Sequence, residues 1–203
     1  MKKIIVIVLA LFAVSTAYSQ ARFGVKGGVN ISTYTVKYDG KKVDDAFKAG
    51  VGFHVGGVAE LSLGDMFAVQ PELLFVNASS KFESNTGVTG GNVTGTTTIN
   101  QIQLPVNAKL KFGVDDLKFI VTAGPYIGFG LSGKSKVGSE SYNIYEGNDS
   151  SKRFDAGLGI GIGVEISKFT VNVGYQMGLA NLSNIDKSAL KLNTALFSVG
   201  YFF

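Results

Sequence analysis

The sequence predicts an all-β chain, an eight-stranded antiparallel up-and-down transmembrane β-barrel behind a cleaved N-terminal signal peptide. Three observations predict it. Apolar and polar residues alternate with period two through eight segments. The connections between those segments alternate long and short without exception. The apolar face of every segment is free of charge, while charges gather on the other face.

The first strand sets Phe23, Val25, Gly27, Val29 and Ile31 against Gly24, Lys26, Gly28 and Asn30. The second runs from Val51 to Leu63, with Phe53 and Val55 on the apolar face and His54 and Glu60 on the other. In the third, Phe67, Val69, Pro71, Leu73 and Phe75 oppose Ala68, Gln70, Glu72 and Leu74. The fourth alternates Ile102 to Phe112 with Gln101, Gln103, Asn107, Lys109 and Lys111. The fifth alternates Phe119 to Leu131 with Lys118, Thr122, Tyr126 and several glycines. In the sixth, Leu158, Ile160, Ile162 and Val164 oppose Asp155, Gly157, Gly159, Gly161, Gly163 and Glu165. The seventh sets Phe169 to Leu179 against Thr170, Asn172 and Gln176. The eighth ends the chain with Phe197, Val199, Tyr201 and Phe203 on one face.

Long stretches at 32–49, 78–98 and 132–152, and an intermediate one at 181–192, read as loops. They alternate with short turns at Gly64-Asp65, Gly113–Asp116 and Ser167-Lys168. Membrane barrels have short periplasmic turns, longer extracellular loops and an apolar outer face. A soluble eight-stranded barrel would put its polar face outward and its apolar face inward. The charge-free face over all eight strands favours lipid outside. The even strand number and the loop order place both termini on the periplasmic side. Phe23, Phe67, Phe112, Phe119, Phe169 and Phe203 lie near the short-turn ends, as an interfacial aromatic girdle would.

Residues 1–19 have the order of a secretory signal peptide. Lys2 and Lys3 precede an apolar run from Ile4 to Val14, and small residues follow. The run is far short of the roughly twenty residues that span a bilayer. Ala17 and Ser19 fit the small positions of a cleavage site after Ser19, leaving 20–203 as the barrel domain. Cysteine is absent, which excludes disulfides, thiol catalysis and Cys-based metal sites. Loss of Lys2 and Lys3 lowers the formal charge of +4 by two, too little to indicate a nucleic-acid partner. The 27 glycines suit close backbone approach within a sheet.

An eight-stranded barrel has an interior just wide enough for side chains. The ionisable residues assigned to it are Lys26, Lys109, Lys111 and Lys118 against Glu60, Glu72, Asp155 and Glu165. Four of each sign predict a paired structural charge network rather than a wide channel. The glycines at 157, 159, 161 and 163 make room for long side chains. His54, the single histidine, faces the lumen. No motif marks a Ser partner for it, so neither a catalytic triad nor a transition-metal site is expected. Asp39, Asp44 and Asp45 lack the spacing of an EF-hand and lie among lysines, so they read as solvated charge. The Gly- and Thr-rich tract Thr86–Thr98 is either a mobile loop or a strand extension above the membrane. Tyr142 and Tyr145, with Glu140, Glu146 and Asp149 nearby, are either binding contacts or loop packing. No cofactor is expected.

The stretches Gly24–Asn30, Gln103–Lys109, Gly124–Phe129 and the C-terminal strand resemble the small outer-membrane β-barrel family of PorT-like and OmpA/OmpX-type proteins. The terminal aromatic resembles the signal by which the barrel assembly machinery reads such a strand, through Phe197, Val199, Tyr201 and Phe203. The resemblance implies the outer membrane of a Gram-negative cell, with membrane lipid and lipopolysaccharide as surroundings. It also implies a structural or partner-binding role through extracellular loops. The alternative is an accessory barrel of an outer-membrane protein secretion system, with a secretion or surface protein as partner. A lipid-modifying enzyme and a small pore are the lesser readings. The resemblance supplies no catalytic residues.

Overall fold

The computed structural model describes residues 21–39, 41–43, 48–86, 91–114, 116–138, 140–146, 151–184 and 187–203. The predicted signal peptide at 1–19 lies outside the described residues, as do Asp44, Asp45 and Asp149.

Ten strands form one antiparallel sheet: β1 (Ala21–Tyr38), β2 (Lys41–Val43), β3 (Lys48–Ser62), β4 (Phe67–Thr86), β5 (Gly91–Val114), β6 (Leu117–Val137), β7 (Glu140–Asn143), β8 (Phe154–Ile166), β9 (Phe169–Gly178) and β10 (Ser188–Phe202). Eight of them close a ring in the order β1-β3-β4-β5-β6-β8-β9-β10, sealed by β10 against β1 from Gly24↔Phe202 to Tyr38↔Ser188. The short β2 and β7 fold back on β1 and β6 at the loop end. The predicted eight-stranded up-and-down barrel is the fold.

Apolar side chains of the alternating pattern point outward. Phe23, Val29, Phe53, Phe67, Leu73, Phe119, Ile160, Val171 and Val199 are exposed, Ile160 by 66 % and Phe203 by 70 %. The partners in alternation point inward and are buried, including Lys109 at 1 % and Glu60 at 0 %. Burying such groups while exposing the aliphatics is what a sheet does when lipid lies outside. Near the short turns the outer aromatics meet: Phe112 stacks on Phe119 at 6.0 Å, and Tyr201 touches both Phe169 and Phe203. The short turns fall where the sequence places them, at 63–66, around Asp116 and at Ser167-Lys168. Gly64 (φ 140°) and Gly113 (φ 155°) supply backbone conformations that side chains disfavour.

The predicted loops need correction. β1 continues to Tyr38, β4 to Thr86 and β6 to Val137, while β5 begins at Gly91 and β10 at Ser188. Most of 32–38, 78–86, 91–98, 132–137 and 188–192 is therefore strand. The Thr86–Thr98 tract is strand extension where described; 87–90 lie outside the described residues. Its β-branched threonines favour this, and β4 and β5 stay in register from Ala78↔Ile99 to Thr86↔Gly91.

The outer face changes character at one level. On β4 the outward apolar run ends at Phe75, and Asn77, Ser79 and Lys81 follow on the same side. Asn77 donates to the Asn100 side-chain carbonyl at 2.7 Å, and Asn100 donates to the Ser132 hydroxyl at 3.0 Å. Farther round, Asn193 donates to the Thr35 hydroxyl at 2.9 Å. Below this polar line, Phe67 to Phe75 is about the 9–11 residues a tilted strand needs to cross a bilayer.

Candidate functional site

The interior is layered along the barrel axis. At the short-turn end, Glu60 of β3 accepts from Lys109 at 2.5 Å, Lys111 at 2.5 Å and Arg22 at 2.7 Å. Glu165 of β8 accepts from Arg22 at 2.8 Å and Lys109 at 3.1 Å. Phe202 points inward and is buried. Its ring face receives the Arg22 guanidinium at 4.6 Å and the Lys109 ammonium at 5.0 Å. Two carboxylates thus bind three cations and one ring caps them. Leaving any one buried charge unpaired would be costly.

The middle layer holds a second, separate group. Lys26 donates to both oxygens of Glu72, at 3.1 and 2.9 Å. Gln70 and Asn107 donate to Glu72 as well, at 2.6 and 3.3 Å. Above it, His54 Nε2 and Ser198 Oγ are 2.8 Å apart. The pairing arises at Gly28 on β1, which stands opposite His54 on one side and Ser198 on the other. A Cβ there would run into the Phe197 carbonyl, so only glycine lets the two side chains meet over it.

At the loop end the interior turns apolar. Tyr34, Ala78, Ile99, Leu182 and Leu192 form a buried cluster, with Ile144, Tyr145 and Leu190 packed on it. Arg153 places its guanidinium 4.3 Å over the Tyr145 ring and donates to the carbonyls of Gly130 and Leu131. Gly130 leaves the space into which the Tyr145 hydroxyl reaches. Burial raises the Tyr145 pKa above its ordinary value, and the Arg153 charge opposes that shift.

Several expectations change on this geometry. The eight lumen charges are not one network. Lys26 and Glu72 pair with each other, while Glu60, Lys109, Lys111 and Glu165 share the lower cluster with Arg22. Asp155 is buried near the loop end, away from those cations, and accepts from the Tyr126 hydroxyl and from the Ala156 backbone. Lys118 is half-buried at the turn-end mouth and makes no ion pair with the described residues. A balanced count of charges does not fix their depth, and depth decides which can meet. A serine does stand beside His54, contrary to expectation. Yet His54 Nδ1 has no partner, so the group has no third member to orient the ring. The glycines of β8 make room for side chains of adjacent strands: Tyr126 at Gly157, Thr122 at Gly161 and Asn172 at Gly163. Asp39 sits in the β1–β2 turn with φ 50°. Tyr142 is exposed, whereas Tyr145 is packing. The terminal residues Phe197, Val199 and Phe203 face outward on β10, with Tyr201 between them. Among the described residues, no three His, Asp or Glu side chains are grouped to hold a metal ion.

A closed antiparallel ring, apolar outside at bilayer depth and charged inside, defines an integral membrane β-barrel. The chain belongs to the outer membrane protein beta-barrel domain family, whose profile matches residues 13–184. That family places it in the outer membrane. It is similar in fold to the outer membrane protein OprG of Pseudomonas aeruginosa, at 14 % identity over 92 % of this chain and 97 % of that one, with a TM-score of 0.53. It also aligns with Ail, the attachment invasion locus protein of Yersinia pestis, solved with the heparin analogue sucrose octasulfate, at 19 % identity over 91 % and 99 % of the chains and a TM-score of 0.41. Neisserial surface protein A aligns at 12 % identity over 91 % and 98 %, with a TM-score of 0.44. No curated protein sequence matches the chain significantly.

Proposed function

We propose that this protein is a sealed, non-catalytic outer-membrane barrel that acts through the strand rim at its loop end, binding a surface partner there. One observation carries the reading: strands β4 and β5 run hydrogen-bonded well past the apolar band, over an interior crossed by an ion-paired cluster at the turn end and a buried apolar cluster at the loop end. β5 has 24 residues, more than twice the 9–11 or so that a spanning strand needs. A barrel built only to anchor itself has no use for that excess. With lumen passage blocked, the projecting rim is the surface left to act. The short turns and both termini would then lie in the periplasm, in the ordinary arrangement. Lys81, Lys134 and Lys136 are exposed on strand extensions past the polar line. That level suits the anionic head groups of lipopolysaccharide.

The absence of an orienting partner on His54 Nδ1 argues against a triad enzyme, and the plugged interior argues against a pore. A shortened chain in which a two-residue turn joins Ser79 to Thr98 tests the reading. It is expected to fold into a heat-modifiable barrel in the outer membrane but to lose its cross-linked partner. Retention of the same partner by the shortened barrel would refute rim binding. Cross-links confined to the short turns would favour the secretion-accessory role instead. Planar bilayers are expected to show no discrete conductance steps, and His54→Ala to leave lipid A acylation unchanged.

A further inference from the structure

We propose that the outward face of β4, β5 and β6, just past the polar line, holds one lipopolysaccharide molecule by its phosphates. The strand register sets two rows of side chains there. Ser79 of β4, Thr98 of β5 and Lys134 of β6 stand side by side in the lower row. Lys81, Thr96 and Lys136 stand side by side in the upper row, and Lys48 of β3 continues it beyond Lys81. All four lysines are exposed, and no carboxylate shares either row. Lys81, Lys134 and Lys136 form no ion pair with the described residues. Exposed strand lysines commonly guard a sheet edge against stray pairing. That account fails here, because Lys81, Lys134 and Lys136 lie on stretches paired on both sides.

Depth selects the partner. The rows lie two and four residues past the line through Asn77, Asn100 and Ser132. At a rise of about 3.4 Å per residue and a strand tilt of about 45°, that is roughly 5 and 10 Å above the boundary. A head-group layer is about 5–8 Å deep on each side of the hydrocarbon, and lysine stems lean back toward the interface. The ammonium groups therefore sit at head-group level and face sideways, toward lipid rather than toward a soluble molecule overhead. Lys81 and Lys136 stand two strands apart, about 10 Å at the usual strand spacing. That suits two phosphates carried at the ends of a disaccharide, with the Thr96 and Thr98 hydroxyls beneath the sugars. The proposal rests on the reading that the loop end faces out of the cell.

The test is a titration of the isotope-labelled barrel in phosphatidylcholine nanodiscs with diphosphoryl lipid A, read by backbone amide shifts. Thr96 and Thr98 are expected to shift saturably. Lys81→Gln combined with Lys136→Gln is expected to weaken binding about 25-fold, about fivefold for each lysine near an anionic lipid surface. Lys37→Gln combined with Lys191→Gln removes the same charge from the outward face of β1 and β10 and is expected to leave binding unchanged. Equal weakening by the two pairs would overturn the proposal, because net charge alone would then explain the affinity. So would equal binding of lipid A stripped of its phosphates. Inorganic phosphate or a sulfated polysaccharide shifting the same amides at lower concentration would overturn the lipid as the source. Orientation is read separately. Lys41 is exposed on β2, and Lys41→Cys gives this cysteine-free chain a single thiol for an impermeant maleimide on whole cells. Labelling without a phosphate preference would sink the lipid site alone. A thiol labelled only in broken cells would sink the outward reading, and the proposal with it.

Discussion

Strand β4 behaves as two different proteins on either side of Phe75. Below it, Phe67, Val69, Leu73 and Phe75 face out while Gln70 and Glu72 face in. Above it, Asn77, Ser79 and Lys81 face out while Val76, Ala78 and Ser80 are buried inside. The backbone alternation never breaks; only the polarity carried by each face reverses. The reversal marks where lipid gives way to water, since a sheet shows each solvent the face it tolerates. The interior follows the same rule. At bilayer depth it holds Arg22, Glu60, Lys109, Lys111 and Glu165, and beyond it holds Tyr34, Ile99, Leu182 and Leu192. The loop-end half is built like an ordinary water-soluble barrel set on top of a membrane barrel.

The largest expected effect lies in the charged half. Glu60→Leu leaves Lys109 and Lys111 without their shared carboxylate and strips Arg22 of one of its two. Breaking a buried ionic group by removing one partner costs about 3–5 kcal/mol. Denaturant unfolding in lipid vesicles measures it. In the apolar half, Leu192→Ala removes a side chain that is 3 % exposed and is expected to cost about 2–3 kcal/mol, the low end for core leucines because a cavity already adjoins it. If Leu192→Ala proved the costlier of the two, the charged cluster would not be what holds the barrel.

The outer face gives the next contrast. Leu73→Arg puts a cation against lipid at mid-strand and is expected to cost about 2–4 kcal/mol. Ser79→Arg, on the same face of the same strand but past Asn77, is expected to cost about 0–1 kcal/mol. Equal costs at the two positions would remove the boundary drawn through Asn77, Asn100 and Ser132.

The eight strands were legible because lipid and lumen impose opposite polarity on alternate residues at bilayer depth. The loops were misjudged for the same reason: past Phe75 the alternation persists with its signs exchanged, and Val76, Asn77, Ala78 and Ser79 look irregular to a reader expecting one sign throughout. Arg22 was missed because it precedes the first clear apolar residue, although it shares the parity of Lys26. Phe202 is an apolar residue on the polar face of the last strand, and that irregularity is the sequence signal of an inner cap. The His54–Ser198 contact had no local signature, because it exists only once β10 closes on β1 across Gly28. Pairing within the lumen was equally hidden: Asp155 and the lysines share a face but not a depth.

The smallest expected effect separates two lysines at the turn end. Both Lys111 and Lys118 lie on inward-facing positions near the same mouth. Lys111 is 6 % exposed and reaches Glu60 at 2.5 Å. Lys118 stands opposite Glu165 in the β6–β8 register, but that carboxylate is already taken by Arg22 and Lys109. Lys111→Ala is therefore expected to cost about 1.5–3 kcal/mol, the range for a hydrogen bond to a charged group. Lys118→Ala should fall within about 0.5 kcal/mol of the wild type, as substitutions away from structural contacts do. Unfolding of both variants in the same vesicles checks the difference. A loss at Lys118 comparable to that at Lys111 would mean that the ammonium does reach Glu165 in the membrane. The turn-end cluster would then hold four cations on two carboxylates, and its advantage over the apolar half would rest on more than the five residues assigned to it.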